Sequence, residues 1–448
     1  MANRGTVPSA PSYEELPPPH NRASRAGPLR SEFTVCLKTI TPVLGGAVTP
    51  RTVDEVDVIR APSVRGHLRF WWRALYGHQY ATASELFAAE SALWGRAADE
   101  KGGRSAVELG IRDHSRSQVD SSNVRLGDTG AYALWPARET RADGAIKDPA
   151  APRWKPGLVF ALSVLAPRDK EREVKNAIRA WVLFGGYGGR TRRGVGSLTV
   201  EGAAQDWLPS VASRGALKEV FGHEVFVPEE ARSTLPWLAG ARLFTSTPDR
   251  DAIKAWTTAL GWLRDFRQGH QGGQGERARE PDPSGGNRPS ISNWPEADKV
   301  RHLTGKTRGH QPKHNATPAY PRAGFGLPII GRFQKDGRDS RQLNEPDDFE
   351  LRWRSSDGDH DRLASPLIVK AMPLANGTFA SIALWLNRKM PEGSMVYLKG
   401  VPGSEAPFDR LIAPGDKTRF KPLEGKKTLR DAFLDWLVAT KRATEVVR

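Results

Sequence analysis

The segment RAPSVRGHLRFWWRALYG, residues 60–77, carries four arginines and four aromatic side chains in eighteen positions and no acidic residue. On a 3.6-residue wheel, Val64, Leu68, Trp71 and Leu75 make one apolar stripe. Arg65, Arg69, Arg73 and Tyr76 gather beside it, with Trp72 at the border. The spacing predicts a helix over 63–76, opened by Pro62 and capped by Ser63. A solvated arginine face is the ordinary meaning of such charge. Ordinary solvated helices, however, carry carboxylates at i,i+4, and this one has none. Arginine without a carboxylate suggests phosphate as its partner. His67 falls near the apolar side, where a packed histidine is a simpler reading than a catalytic one.

Upstream, EFTVCLKTI (32–40) alternates Phe33, Val35, Leu37 and Thr39 with polar or small residues, as a half-buried strand does. The loop that follows, TPVLGGAVTPRTVDEVDV, holds Gly45 and Gly46, which can bring backbone close to a ligand or simply turn the chain. Downstream, a loop-rich region (77–155) leads to a strand at GLVFALSVL (157–165). A second amphipathic helix follows, with Val174, Ile178 and Trp181 on one face and a Gly-Gly stop. After the stop comes GGYGGRTRRGVGSLTVEG (185–202), with Gly186, Gly188, Gly189, Gly194 and Gly196 around Arg190, Arg192 and Arg193. Glycine lets backbone amides approach a phosphate while neighbouring arginines neutralise it. The tract lacks the lysine and hydroxyl of a nucleoside-triphosphate loop, and it follows a helix, unlike the dinucleotide fingerprint. A flexible basic loop without a ligand is the alternative; a tract binding an extended nucleic-acid backbone fits better.

The 448 residues hold 67 Lys+Arg against 51 Asp+Glu, a net charge of +16 with pI near 10.0. That balance favours a polyanionic partner, nucleic acid first and a membrane surface second. No run of about 18 apolar residues can span a bilayer, and FASIALWL (379–386) is much too short. The first 28 residues lack the apolar core of a secretory signal, so residues 1–30 read as a flexible extension in a cytoplasmic protein. With Cys36 as the single cysteine, neither an intrachain disulfide nor a thiolate metal cage is expected.

Beyond a connection over 213–240, ARLFTS (241–246) reads as a strand. DRDAIKAWTTALGWLRDF (249–266) reads as a helix burying Ile253, Trp256, Leu260 and Leu263. Residues 267–320 form a long polar insertion, and a solvated basic tract is expected there in preference to a metal set of His302, His310 and His314. AGFGLPIIGRF (323–333), FELRWRSS (349–356) and DRLASPLIVKAMPLANG (361–377) are strand-like. The chain closes on a helix with Leu429, Phe433, Trp436 and Leu437 inward.

TPVLGGA, APSVRGHLRFWWRAL, GGYGGRTRRGVGSL and ASPLIV, in this order, resemble the RAMP proteins of CRISPR systems. The resemblance is strong over 33–75 and 181–200, moderate at 323–331 and 363–369, and absent from 1–30 and 267–320. Within the family it is greatest to the first-numbered subunit of the type III-B effector, the Cmr complex. It implies an α+β fold of two tandem ferredoxin-like (RRM-like) modules with long loop insertions and a C-terminal helix. The modules would span 31–212 and 241–448. It also implies a non-catalytic RNA-binding subunit in antiviral defence, holding the 3′ region of the guide RNA (crRNA) or the paired target RNA beside other RAMP subunits. Target cleavage would belong to a different subunit. On this reading Arg60, Arg65, Arg69 and Arg73, the loop at Gly45 and Gly46, and the tract from Gly186 to Gly196 line one groove, with Trp72 stacking on a base.

Two rivals stand beside it. A metal-independent endoribonuclease would draw on His67, His78, Asp54 and Asp57, although TVDEVD (52–57) reads more simply as an acidic loop. A structural subunit would dock acidic partners through the ten basic residues that face five acids over 267–322. No metal, nucleotide or organic cofactor is expected.

Overall fold

The computed structural model describes residues 29–96, 102–142, 144–269, 288–289, 292–333, 345–417 and 420–446. Most of the extension expected over 1–30, and most of the first half of the insertion expected over 267–320, lie outside the described residues.

The first half runs β1 (Arg30–Thr39), α1 (Ala61–Tyr76), α2 (Ala83–Trp94), β2 (Glu108–Ser115), β3 (Val159–Pro167), α3 (Glu171–Phe184) and β4 (Leu198–Glu201). Its strands form one antiparallel sheet in the order β2-β3-β1-β4. The second half repeats the plan. It runs β5 (Trp237–Thr245), α4 (Ala252–Arg267), α5 (Glu296–Leu303), β6 (Ile329–Gly331), β7 (Phe349–Ser355), β8 (Leu367–Pro373), β9 (Phe379–Asn387), β10 (Met395–Leu398), β11 (Ala406–Pro407), α6 (Leu429–Lys441) and β12 (Thr444–Glu445). Its main sheet has the order β8-β9-β5-β12. In both sheets the first strand lies between the third and the fourth. A smaller sheet, β6-β7-β10-β11, carries a separate core around Leu351, Val396 and Leu398.

The two halves share a layer. Along β8, Leu367, Val369 and Ala371 enter the core built on α4 and α6, whereas Ile368 and Met372 enter the core of the first half, with Trp71, Leu75, Trp181 and Phe184. The second sheet is therefore covered on both faces, by its own helices on one side and by α1 and α3 on the other. This explains why LIVKAMP and FASIALWLN read as near-continuous apolar runs instead of alternating ones.

Local signals place the elements well, with some corrections. Helix α1 begins at Ala61, not at a capped Ser63; Arg60 occupies the cap position and no side chain caps it. The region expected to be loop-rich holds α2, whose Thr82 and Glu85 form a reciprocal capping box, as well as β2. Strand β5 starts at Trp237, four residues before the expected position. The second half of the insertion is not a solvated basic tract. Helix α5 is wrapped by internal ion pairs: Lys299 with Asp416 at 2.7 Å, Arg301 with Glu345 at 3.0 Å, and Arg322 with Glu296 at 3.2 Å. His314 Nδ1 lies 2.9 Å from Asp298, and His302 Nε2 lies 2.9 Å from the His314 carbonyl. These histidines pack, and among the described residues no His, Cys, Asp and Glu cluster could hold a metal ion. Nor is any described helix long and apolar enough to cross a membrane.

Candidate nucleic-acid interface

Helix α1 is a middle layer, so two of its sides meet protein. Trp71, Trp72, Leu75 and Tyr76 are all buried. Trp72 is only 1% exposed, and its Nε1 donates to Glu173 at 3.0 Å. It presents no ring face to a base, which corrects its expected stacking role. Arg69 and Arg73 are not free of carboxylates either. Both meet Oε1 of Glu90 at 2.6 Å, on a side chain 5% exposed in α2. The helical i,i+4 test missed this partner because it comes from the next helix. Arg60 lies 3.7 Å from Asp57, and its N–H donates to the Tyr187 hydroxyl at 2.9 Å. Arg65 alone of the four keeps a half-exposed guanidinium with no partner among the described residues.

The glycine-rich tract folds onto the 40–46 loop, so these two segments do meet. Gly189 N–H donates to Leu44 O at 2.6 Å, Gly196 N–H to Pro42 O at 2.7 Å, and Tyr187 N–H to Gly196 O at 2.8 Å. The tract's glycines serve this chain-to-chain approach in place of the expected approach to a ligand. A Cβ on Gly196 would sit 1.8 Å from Tyr187 O, on Gly186 2.6 Å from Gly196 O, and on Gly188 or Gly189 2.8 or 3.1 Å from Leu44 O. At Gly194 it would strike the Trp256 ring at 2.5 Å. Gly45 differs: its φ of +73° needs glycine, but the space beside it is open, and Gly46 next to it is half-exposed.

The three arginines of the tract point toward the second half. Arg192 donates to Ser365 O and lies 5.7 Å from the Phe70 ring centroid; Arg193 donates to Leu367 O at 3.2 Å. Two arginines that the sequence did not mark join them. Arg267, the last residue of α4, lies 5.7 Å from the Phe325 ring, and Arg388 follows directly on β9. Burial pushes Arg193 down to about 9, reinforced by the like charges of Arg267, Arg190 and Arg192. Burial likewise lowers Arg192 to about 10 and Arg388 to about 10, the latter also feeling Arg192. Arg190 is exposed, and desolvation by the surrounding protein together with Arg267 still holds it below the ordinary range, against an opposing pull from Tyr132. Among the described residues none of these five has a carboxylate within ion-pair distance. Arg190, Arg192, Arg193 and Arg388 stay cationic at neutral pH despite these shifts, so together with Arg267 they make the seam between the halves a concentrated positive site with no counter-charge among the described residues. Their spacing in sequence, 190 to 388, hides them from any local charge count.

Among the described residues no hydrogen bond or ion pair links either candidate histidine, His67 or His78, to Asp54 or Asp57. Asp54 is partly exposed and closes a turn by accepting from the amides of Asp57 and Val56, which lowers its pKa. His67 is stacked on Trp181 at 5.9 Å and meets Tyr187 edge-on at 6.0 Å; His78 packs against Trp237 at 6.4 Å. Burial lowers both histidines, so they are neutral at pH 7.

Residues 36–199, from β1 to β4, match the model of the RAMP superfamily. No curated protein matches the sequence. Among solved structures, the chain is similar to apo Cmr1 from Pyrococcus furiosus, with 15% identity over 93% of this chain and 98% of that one, at a TM-score of 0.45. It is also similar to a chain of the type III-B Cmr-beta assembly bound to cognate target RNA, with 12% identity over 79% and 94% of the chains and a TM-score of 0.39. A further likeness is to a chain of the same kind of assembly with target RNA and AMPPnP in the presence of ssDNA, with 11% identity over 91% and 99% and a TM-score of 0.42.

Proposed function

We propose that this chain is a non-catalytic, RNA-binding RAMP subunit of a type III-B CRISPR ribonucleoprotein, seated in the cytoplasm beside other RAMP subunits. Its ligand on this reading is the 3′ region of the guide RNA or the guide–target duplex. The observation that carries the reading is the seam of Arg190, Arg192, Arg193, Arg267 and Arg388, five guanidiniums with no carboxylate among the described residues. Mutual repulsion among them is relieved by a polyanion, and a phosphate backbone supplies one without demanding base identity. Such binding suits a protein whose specificity comes from base pairing of a guide. The order β2-β3-β1-β4, repeated as β8-β9-β5-β12 with two helices per sheet, supports two ferredoxin-like modules, 31–212 and 241–448, joined through 213–240. That no hydrogen bond or ion pair among the described residues links His67 or His78 to Asp54 or Asp57 favours binding over cleavage.

The test is single-stranded RNA binding across a salt series. Five neutralised phosphates give a log K against log salt slope of about −3.5, and an Arg190→Ala/Arg267→Ala/Arg388→Ala variant should flatten it to about −1.4. These three make no ion pair among the described residues, so the fold should survive their loss. Equal slopes in both proteins would reject the seam as the RNA site and leave subunit docking as its role.

A further inference from the structure

Where α1 meets the end of α3 and the glycine-rich tract, a cleft of about 250 Å³ opens, lined among others by His67, Phe70, Trp71, Thr191 and Arg192, with Ile368 of the second sheet closing it. It lies just below the ~300–1,000 Å³ that drug-sized ligands fill, a size suited to one planar ring system. Its polar groups are unusual. Trp71 is 3% exposed, and its indole N–H, which has no hydrogen-bond partner among the described residues, is not sealed in the core but stays accessible in a wall of the cleft, where a ligand can take it as a donor. A Cβ on Gly185 would come within 2.5 Å of that nitrogen and 2.7 Å of Trp181 O, so glycine is what lets the backbone pass this close to the indole at the edge of the cleft. The Thr191 hydroxyl and the His67 ring nitrogens also lack partners among the described residues. Burial keeps His67 neutral, so it offers one donor and one acceptor. Half-buried Phe70 stands in the wall with its ring 5.1 Å from that of Trp71 and 5.7 Å from the Arg192 guanidinium.

We propose that this cleft takes one unpaired base of the bound RNA strand. Trp71 Nε1–H donates to a carbonyl or ring-nitrogen acceptor on the base edge, the Phe70 ring packs on the base, and Arg192 meets the adjoining phosphate. Single-stranded RNA is recognised through splayed bases of this kind, stacked on aromatic rings and bonded along their edges. The inference rests on the RNA reading above and deepens it: the arginine seam holds the backbone, and the cleft fixes the register of one nucleotide.

The experiment uses the full chain with a uridine-rich single-stranded RNA carrying 4-thiouridine. Irradiation and peptide mapping should place the cross-link on the peptide containing Phe70 and Trp71. Trp71→Phe, which keeps the ring and removes the N–H, should weaken RNA binding about 3- to 10-fold, the effect of one lost neutral hydrogen bond. Its salt slope should not change, since no charge is removed. Phe70→Ala, on the half-buried rim, should weaken binding at least as much and serves if Trp71→Phe folds poorly. A cross-link mapping elsewhere, or wild-type affinity in both variants, overturns the cleft assignment while leaving the RNA reading intact. No RNA binding by the wild type overturns both. Uridine monophosphate alone should not bind at millimolar concentration; Trp71-dependent binding of it would reassign the cleft to free nucleotides and overturn the strand assignment.

Discussion

Lys370 offers a sharp test of how the two halves are joined. It sits on β8, wholly buried, and its Nζ donates to the carbonyls of Val182 at 2.7 Å and Gly185 at 2.8 Å, at the C-terminal end of α3. Burial pushes it down from 10.5 to about 7. The unfolded chain holds this proton up to pH 10.5 and the folded chain releases it near 7. Between those values the unfolded state binds more protons, so stability rises with pH and falls again as pH drops from 10.5 toward 7. From pH 7 to 8.5 the unfolded side contributes about 2 kcal/mol and the half-titrated folded side removes about 0.4, leaving a rise of about 1.6 kcal/mol from this lysine. His67, His78 and His223 are all lowered by burial and titrate below this window, while Arg192, Arg193 and Arg388, at about 10, 9 and 10, and Tyr76, at about 12, titrate above it. What Lys299, lowered by burial, and Cys36, raised by it, contribute is common to wild type and Lys370→Met and cancels in the comparison. Urea unfolding at pH 7.0, 7.75 and 8.5, values chosen at about equal steps within that window, should show the rise in wild type and lose it in Lys370→Met. Parallel pH profiles for the two proteins would refute the buried, proton-releasing lysine and with it the close seating of β8 on α3.

Glu90→Gln removes the charge that Arg69 and Arg73 share; it should cost about 2 kcal/mol in urea unfolding, below the range for wholly buried pairs because both arginines keep some solvent. The same variant should leave the RNA salt slope unchanged, and a flattened slope would return those arginines to the RNA site. Gly196→Ala combines φ +69° with a Cβ 1.8 Å from Tyr187 O and should lose about 3 kcal/mol or more by thermal melting. Gly45→Ala, at φ +73° in open space, should lose only about 1 kcal/mol, and equal losses would argue against the tract's self-packing.

The sequence by itself determined the helix and strand periods. Val64, Leu68, Trp71 and Leu75 are buried where the wheel puts them, the closing helix buries Leu429, Phe433, Trp436 and Leu437, and β1 alternates as EFTVCLKTI reads. These features are local, set by 3.6- and 2-residue repeats, and so were the motifs that carry the RAMP resemblance. Only the tertiary structure decided what the polar residues do. Arg69 and Arg73 look unpaired within their helix and share the single carboxylate of Glu90 from the next one. Trp72 looks like a border residue and is enclosed because α1 lies between two sheets. Arg267 and Arg388 are unremarkable in sequence and become part of a positive seam once α4 and β9 bring them to the glycine-rich tract. Charge acts through space over distances that sequence separation does not measure, whereas burial periodicity is written along the chain.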